Sequence, residues 1–293
     1  MNIKFQNMEE PGHIKSIAFL FFIPPFFFIG TYFPISRSFW LALLLAALLN
    51  LPSIYVLARI FKRFPSPVAF RLLASVFAII ICIGGLYGFS NFIHSNVLPH
   101  THPVIIPLIL LILALYFSSQ GLIPAGKFCF MSGLITQILF YISVLSSILK
   151  IDMFFLPRSF TDYFPIGLWN NRNAFIQSTL LLWAILLMQS FIMFALFAKS
   201  NKTFIISKEM TKGLISAIIP LSASYLTAVA VLGPNVLESL TYPLYYPPGL
   251  TGKAEYMERT EGILLTIFLL TSFIQTSLLF STLRTLLPPQ PSD

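Results

Sequence analysis

The stretch FFIPPFFFIGTYFP, residues 21–34, decides the fold, because it is an almost wholly apolar run with a pair of prolines inside it. An apolar run of about 20 residues is what a helix needs to cross the hydrocarbon core of a bilayer. Pro24 and Pro25 lack a backbone N–H, so they cannot donate to the carbonyls of Leu20 and Phe21. The stretch therefore predicts a membrane-spanning helix that is broken partway along its length.

The composition of the whole chain agrees with a membrane protein. Hydrophobic residues make up 57% of the 293 residues, charged residues make up only 10%, and the mean hydropathy is +0.85. A soluble domain carries about 25% charged residues, so this chain has too few charges to cover a water-facing surface. The net charge of +8 comes from basic residues in short loops. We interpret these basic residues as determinants of membrane orientation and as groups that contact anionic lipids, and we expect no nucleic-acid partner.

Eight stretches are long and apolar enough to span a membrane, and all are predicted to be helices, since an open strand would leave unpaired backbone groups in lipid. They are roughly residues 14–34, 38–61, 69–95, 103–120, 127–149, 166–198, 210–233 and 261–286. The predicted fold class is an all-α polytopic membrane protein that forms one integral membrane domain over residues 1–293. The sixth stretch either begins outside the bilayer or is broken near residues 165–167.

The distribution of Lys and Arg predicts the orientation of these helices. With a cytoplasmic N-terminus, twelve of the 18 Lys and Arg residues fall on the inner side and six fall on the outer side. The strongest inner marker is the loop 199–212, which holds four lysines. Both termini are therefore predicted to be cytoplasmic. Two proline-rich outer segments, 151–172 and 234–252, are predicted to be extended or re-entrant and packed on protein, because proline breaks helices.

The sequence contains no recognisable pattern for catalysis or cofactor binding. It has no Ser/His/Asp arrangement, no cluster with metal-ligand spacing and no glycine-rich phosphate loop. We therefore expect a protein that is not an enzyme and that needs no cofactor or metal. Cys82 and Cys129 are interpreted as small buried side chains, and Gly84, Gly85 and Gly88 as close-packing positions of the third span. The spans carry almost no ionisable residue away from their ends, which argues against a pump that uses a buried carboxylate.

A neutral binding site is one interpretation of the broken first span. Broken helices in transporters present free N–H and C=O groups to a small solute, Gly30 permits unwinding, and Thr31 adds a hydroxyl. Tyr87 and Asn91, which are four residues apart on one helix face, and Gly167 complete the predicted ligand-binding set. The alternative is a proline kink without a ligand, with Asn91 bonded to a neighbouring helix.

Charged residues crowd together just before the last span, in AEYMERTEG, residues 254–262. Glu255 and Arg259 are spaced i, i+4, which suits an ion pair on a helix. Glu258 and Glu261 lie at the start of the last helix, where the positive end of the helix dipole favours acids. The cluster is interpreted as a polar N-terminal cap rather than a ligand site.

The same region resembles the B subunit of bacterial spore germinant receptors, of the GerAB type. The resemblance rests on YLTAVAVLGPNVLESLTYP (225–243) followed by YMERTEGILLTIFLLTSFIQTSLLF (256–280). The family carries a glycine after an apolar helix, here Gly233, then a Tyr-Pro pair, then an acidic-Arg-x-acidic motif that opens the next helix. Four shorter elements agree in order and spacing, namely RFPSPVAF (63–70), VLPHTHPVII (97–106), LYFSSQGLIPAGKF (115–128) and FFLPRSF (154–160).

The resemblance covers about residues 20–286 and implies a function. The family belongs to the amino acid–polyamine–organocation transporter superfamily, whose fold has ten helices in two inverted repeats. It implies a germinant-sensing subunit that binds a small nutrient such as an amino acid and signals to the receptor A and C subunits in the spore inner membrane or cell membrane. The family fold has ten helices, whereas this sequence predicts eight spans and has LRTLLPPQPSD after the eighth. An amino-acid permease and a non-binding scaffold subunit remain the alternatives.

Overall fold

The computed structural model describes residues 11–29, 38–63, 68–148, 172–197, 202–242, 244–245 and 260–286. Within these residues every regular element is a helix. In chain order the helices are α1 Pro11–Phe22, α2 Pro24–Phe28, α3 Phe39–Arg63, α4 Val68–Asn96, α5 Ile105–Ser119, α6 Leu122–Ile148, α7 Arg172–Leu196, α8 Thr203–Leu232, α9 Pro234–Ser239 and α10 Thr260–Leu286.

Six of the described helices, α3, α4, α6, α7, α8 and α10, are long and apolar enough to cross a membrane. They confirm the predicted class, an all-α multi-pass membrane protein. α5 is apolar but has only 15 residues, so at 1.5 Å per residue it is about 22 Å long, shorter than the hydrocarbon core. The first predicted span is divided between α1 and α2.

The predicted helix limits are correct to within two residues for the second, third, fourth and last spans. The predicted starts of α6 and α8 are wrong, because α6 begins at Leu122 and not at residue 127, and α8 begins at Thr203 and not at residue 210. Residues 203–212 of the basic segment 199–212 are therefore helical rather than a loop. Hydropathy detects only the apolar part of a helix, whereas the backbone stays helical where Lys212 can pair with Glu209 at an Nζ–Oε1 distance of 2.6 Å.

α1 lies at the centre of the bundle, and its residues from Ile17 to Phe22 are buried on every side. A helix that is apolar all round suits such a position. α8 and α6 approach it closely at Gly213 and Gly133. A Cβ on Gly213 would lie 2.5 Å from the Ala18 Cβ, and a Cβ on Gly133 would lie 3.0 Å from the Ser16 Cβ. These glycines let the backbones pack together, as small residues do in membrane helices.

The described part of the segment 234–252 packs on protein, as predicted, but it begins with a helix. Gly233 has φ +77°, a torsion that favours glycine, and Pro234 then occupies the first turn of α9. Proline is tolerated there because the first N–H groups of a helix have no intrahelical partner. Beyond α9, Tyr242 is buried and its ring centroid lies 5.1 Å from that of Phe92 on α4.

Three sets of sequence predictions fall outside the described residues. They are the torsions and contacts of Gly30 and Thr31, the segment 151–171 with Gly167, and the charged residues Glu255, Glu258 and Arg259. Of the cap region, only the start of α10 is described. The helix begins at Thr260, one residue before the predicted start.

Candidate functional site at the break in the first helix

The first helix departs from a continuous helix at the predicted place, which fits both the broken helix and the proline kink. α1 ends at Phe22, the chain bends at Ile23, and α2 begins at Pro24. Ile23 keeps helical torsions, φ −73° and ψ −50°, so the break is a bend between two helical segments rather than a long unwound stretch. Because Pro25 has no N–H, the carbonyl of Phe21 loses the partner that a continuous helix would give it.

Two glutamines supply donors to this carbonyl. Gln189 on α7 donates from Nε2 to the Phe21 oxygen at 2.6 Å, and Gln275 on α10 donates from Nε2 to the same oxygen at 3.3 Å. Both side chains are buried. A carbonyl freed by proline is commonly paired again by groups from neighbouring helices, and here the side chains of two helices converge on one oxygen.

A second carbonyl near the break is bonded from α8. The Tyr225 hydroxyl donates to the Phe26 carbonyl oxygen at 2.7 Å, and the Tyr225 side chain is 1% exposed. Its ring centroid also lies 4.7 Å from that of Phe39 on α3. Tyr225 thus ties α2 to the bundle through one hydrogen bond and through ring packing.

Polar contacts continue from the break to α3. Asn50 donates from Nδ2 to the Ser190 hydroxyl at 3.0 Å, and Ser190 donates onward to the Leu186 carbonyl oxygen at 2.8 Å. Ser190 follows Gln189 directly on α7. Asn50 and Gln189 are both 0% exposed, so these amides lie in the interior and not at a lipid-facing or water-facing surface.

Most hydroxyls of the spans are satisfied by their own helix. Thr271 and Thr276, for example, donate to the carbonyl oxygens four residues before them, at 2.7 and 2.8 Å. Five buried side-chain atoms in the described part of the chain have no hydrogen-bond partner. They are Asn50 Oδ1, Thr136 Oγ1, Gln189 Oε1, Ser222 Oγ and Ser272 Oγ.

Spacing along their helices places these five unpaired atoms on faces turned toward the first helix or toward the residues that bond it. Gln189 itself contacts Phe21, and Asn50 contacts the next residue of α7. Ser222 and Ser272 lie three residues before Tyr225 and Gln275, so each shares a helix face with a residue that bonds the first helix.

Thr136 completes this arrangement. It lies three residues after Gly133, the position at which α6 packs against Ser16 and Leu20 of α1. We call the seven side chains around the break the polar ring; they are Asn50, Thr136, Gln189, Ser222, Tyr225, Ser272 and Gln275. Every member is uncharged, and each lies on a helix that packs against α1, α2 or a direct neighbour of theirs.

Of the five predicted ligand-binding residues, the structure describes Tyr87 and Asn91. The Tyr87 side chain is 56% exposed on the surface of the bundle, and Asn91 is half-buried. On the same helix it is Gly85 that faces the ring, since a Cβ there would lie 3.6 Å from Gln275 Oε1. Two residues correspond to about 200° around a helix, so Tyr87 points away from the break. A Cβ on Gly85 would lie at an ordinary contact distance, so the predicted close packing at this glycine stays a prediction.

The polar ring was missed by the sequence reasoning, although a signal for it exists. Asn50, Gln189 and Gln275 stand inside the apolar runs LLNLP, LMQSF and FIQTS. Amide side chains are uncommon within a span and usually bond across helices. The sequence alone gives no indication that these three residues, on three different helices, meet at one break.

The remaining site predictions can be compared with the described residues. No group of three His, Cys, Asp or Glu side chains comes together within them. Cys82 and Cys129 are buried thiols, as predicted. Comparison of this chain with family models, with curated proteins and with solved structures finds no match.

Proposed function

We propose that this protein binds a small solute at the break in its first helix and that it acts as a germinant-sensing subunit of a spore germination receptor. The observation that supports solute binding is the polar ring with its five unpaired buried atoms. A buried polar atom left without a partner costs about 1–3 kcal/mol. A solute that pairs with several of these atoms recovers part of this cost on binding.

The hydrogen bonds at the break give such a solute a means of signalling. The Phe21 carbonyl is held by α7 through Gln189 and by α10 through Gln275. A solute that bonds either amide, or the carbonyl itself, changes the balance between arrangements of these helices, because it stabilises the arrangement that it binds best. The receptor A and C subunits, which the sequence resemblance implies as partners, would respond to this shift.

Thermal stabilisation of the purified protein by candidate nutrients tests the proposal. We expect a nutrient that stabilises the wild type to lose its effect in Gln189→Leu and in Gly30→Leu. Gln177→Leu is the matched control, since Gln177 is exposed on the same helix, outside the polar ring. Equal stabilisation of the wild type and Gln189→Leu would contradict binding at the break.

A permease is the second candidate function, because discontinuous helices at the membrane centre are also the binding elements of many transporters. Uptake of the stabilising nutrient into proteoliposomes distinguishes the two functions. A sensor binds without sustained flux, whereas a permease shows flux that Gln189→Leu abolishes. Co-purification with A and C subunits would support the sensing role.

A further inference from the structure

The polar ring is built from neutral groups, and this composition bears on the kind of solute it takes. Its unpaired atoms are two amide oxygens, Asn50 Oδ1 and Gln189 Oε1, and three hydroxyls. An amide oxygen only accepts hydrogen bonds, and a hydroxyl donates one and accepts others. The atoms that need partners therefore call for a solute that brings several O–H or N–H donors together with some acceptors.

Buried charged groups are scarce in the part of the bundle that the structure describes. Among the described residues, the one buried side chain with a formal charge is Glu209. It lies on α8, sixteen residues before Tyr225, which corresponds to about 24 Å along a helix axis, and it already pairs with Lys212. Among the buried side chains of the described residues, a charged solute at the ring would find no free opposite charge, and an unpaired buried charge is far costlier than an unpaired polar group.

The break also offers little to a carboxylate. Broken helices bind carboxylates through free backbone N–H groups at the start of the second segment. Here the first two residues of α2 are Pro24 and Pro25, which have no N–H, and α2 has only five residues. The amide nitrogens of Asn50, Gln189 and Gln275 already donate within the protein.

We propose that the solute of the polar ring is a neutral, hydroxyl-rich molecule such as a sugar or polyol, rather than an amino acid zwitterion or an amine. This inference rests on the proposed function, since it names the ligand class of the same site. Its hydroxyls would donate to Asn50 Oδ1 and Gln189 Oε1 and exchange hydrogen bonds with Ser222, Ser272 and Thr136. Neither partner would have to bury a net charge.

Thermal unfolding of the full chain with three solute pools tests the inference. The first pool holds D-glucose, D-fructose, myo-inositol and glycerol, the second holds L-amino acids at neutral pH, and the third holds methylammonium and putrescine. We expect only the polyol pool to raise the melting temperature. We also expect Asn50→Leu and Gln189→Leu to weaken the binding of the active polyol at least about tenfold, equivalent to about 1.4 kcal/mol, and Gln177→Leu to leave it unchanged.

The outcomes separate the two proposals. Stabilisation by the amino acid or amine pool, with or without the polyols, overturns the ligand class but leaves solute binding at the break in place. If no pool stabilises the wild type, both the ligand class and the solute-binding function are overturned. If the polyol effect persists in both Asn50→Leu and Gln189→Leu, a polyol binds elsewhere and the polar ring is not its site.

Discussion

Replacing Gly213 with alanine tests whether close contact between α1 and α8 holds the bundle together. A Cβ at this position would lie 2.5 Å from the Ala18 Cβ, 2.8 Å from the Lys15 carbonyl oxygen and 3.0 Å from the Phe19 amide nitrogen. Carbon atoms pack best at about 3.5–4.0 Å, so the two helices must move apart by about 1 Å. Two of the three neighbouring atoms belong to the backbone and cannot rotate away.

Two effects of opposite sign decide the stability of this variant. Alanine favours a helix over glycine by about 1 kcal/mol, whereas an extra carbon in a well-packed interior costs about 1–3 kcal/mol. The separation also weakens the neighbouring contacts between α1 and α8, and van der Waals packing is a main source of helix association in lipid. The packing cost therefore exceeds the helix gain, and we expect a net loss of about 1–2 kcal/mol.

Thermal unfolding in detergent, followed by tryptophan fluorescence, measures this loss against a graded set of controls. Gly133→Ala meets one side-chain carbon at 3.0 Å, Gly85→Ala meets a side-chain oxygen at 3.6 Å, and Gly262→Ala meets nothing within 4 Å. The melting temperature should fall most for Gly213→Ala, less for Gly133→Ala, and stay level or rise for the other two. A Gly213→Ala variant as stable as Gly262→Ala would refute the reasoning.

Three further predictions concern the break and the topology. Gln189 and Gln275 both donate to the Phe21 oxygen, so each single change to leucine should lower the unfolding free energy by under about 1 kcal/mol, and the double change should lower it by more than the sum, up to about 3 kcal/mol. Simple additivity in a thermal double-mutant cycle would show that the two side chains do not share the carbonyl. Tyr225→Phe removes the donor to the Phe26 carbonyl and should lower the unfolding free energy by about 0.5–1.5 kcal/mol in the same assay. The control Tyr55→Phe, on the exposed face of α3, should lower it by almost nothing. Equal losses in the two variants would contradict the role of the Tyr225 hydroxyl. Cysteine at position 202 should react with an impermeant thiol reagent only from the cytoplasmic side, and cysteine at position 253 only from outside; reaction of position 202 from outside would reverse the topology.

The break could be predicted because its cause is local. Pro24 and Pro25 lack N–H groups wherever the rest of the chain lies, so the sequence alone predicts the loss of two successive helical hydrogen bonds there, whereas the single prolines Pro52 and Pro220 lie inside helices that continue through them. The same reasoning failed at Pro234, because the effect of proline depends on its position in a helix. At the first turn it starts α9 instead of preventing a helix.

The membrane class was also determined by the sequence, because transfer from water to lipid depends on composition and length alone. The start of α8 was not, since the polar residues Lys208, Glu209 and Lys212 lie on a helix that extends beyond the apolar run. Hydropathy reports which residues avoid water. It does not report where the backbone stops being helical.

Which residues meet at the break was decided by the tertiary structure. Gln189 and Gln275 lie 168 and 254 residues from Phe21 along the chain, yet both donate to its carbonyl. Lipid and protein interior are about equally apolar, so hydrophobicity does not tell the lipid-facing side of a membrane helix from the buried side. The i, i+4 spacing selected Tyr87, which is exposed, and hydropathy gave no sign that Gln275 is buried. Only the packing of α7 and α10 against the first helix shows which polar side chains reach the Phe21 carbonyl.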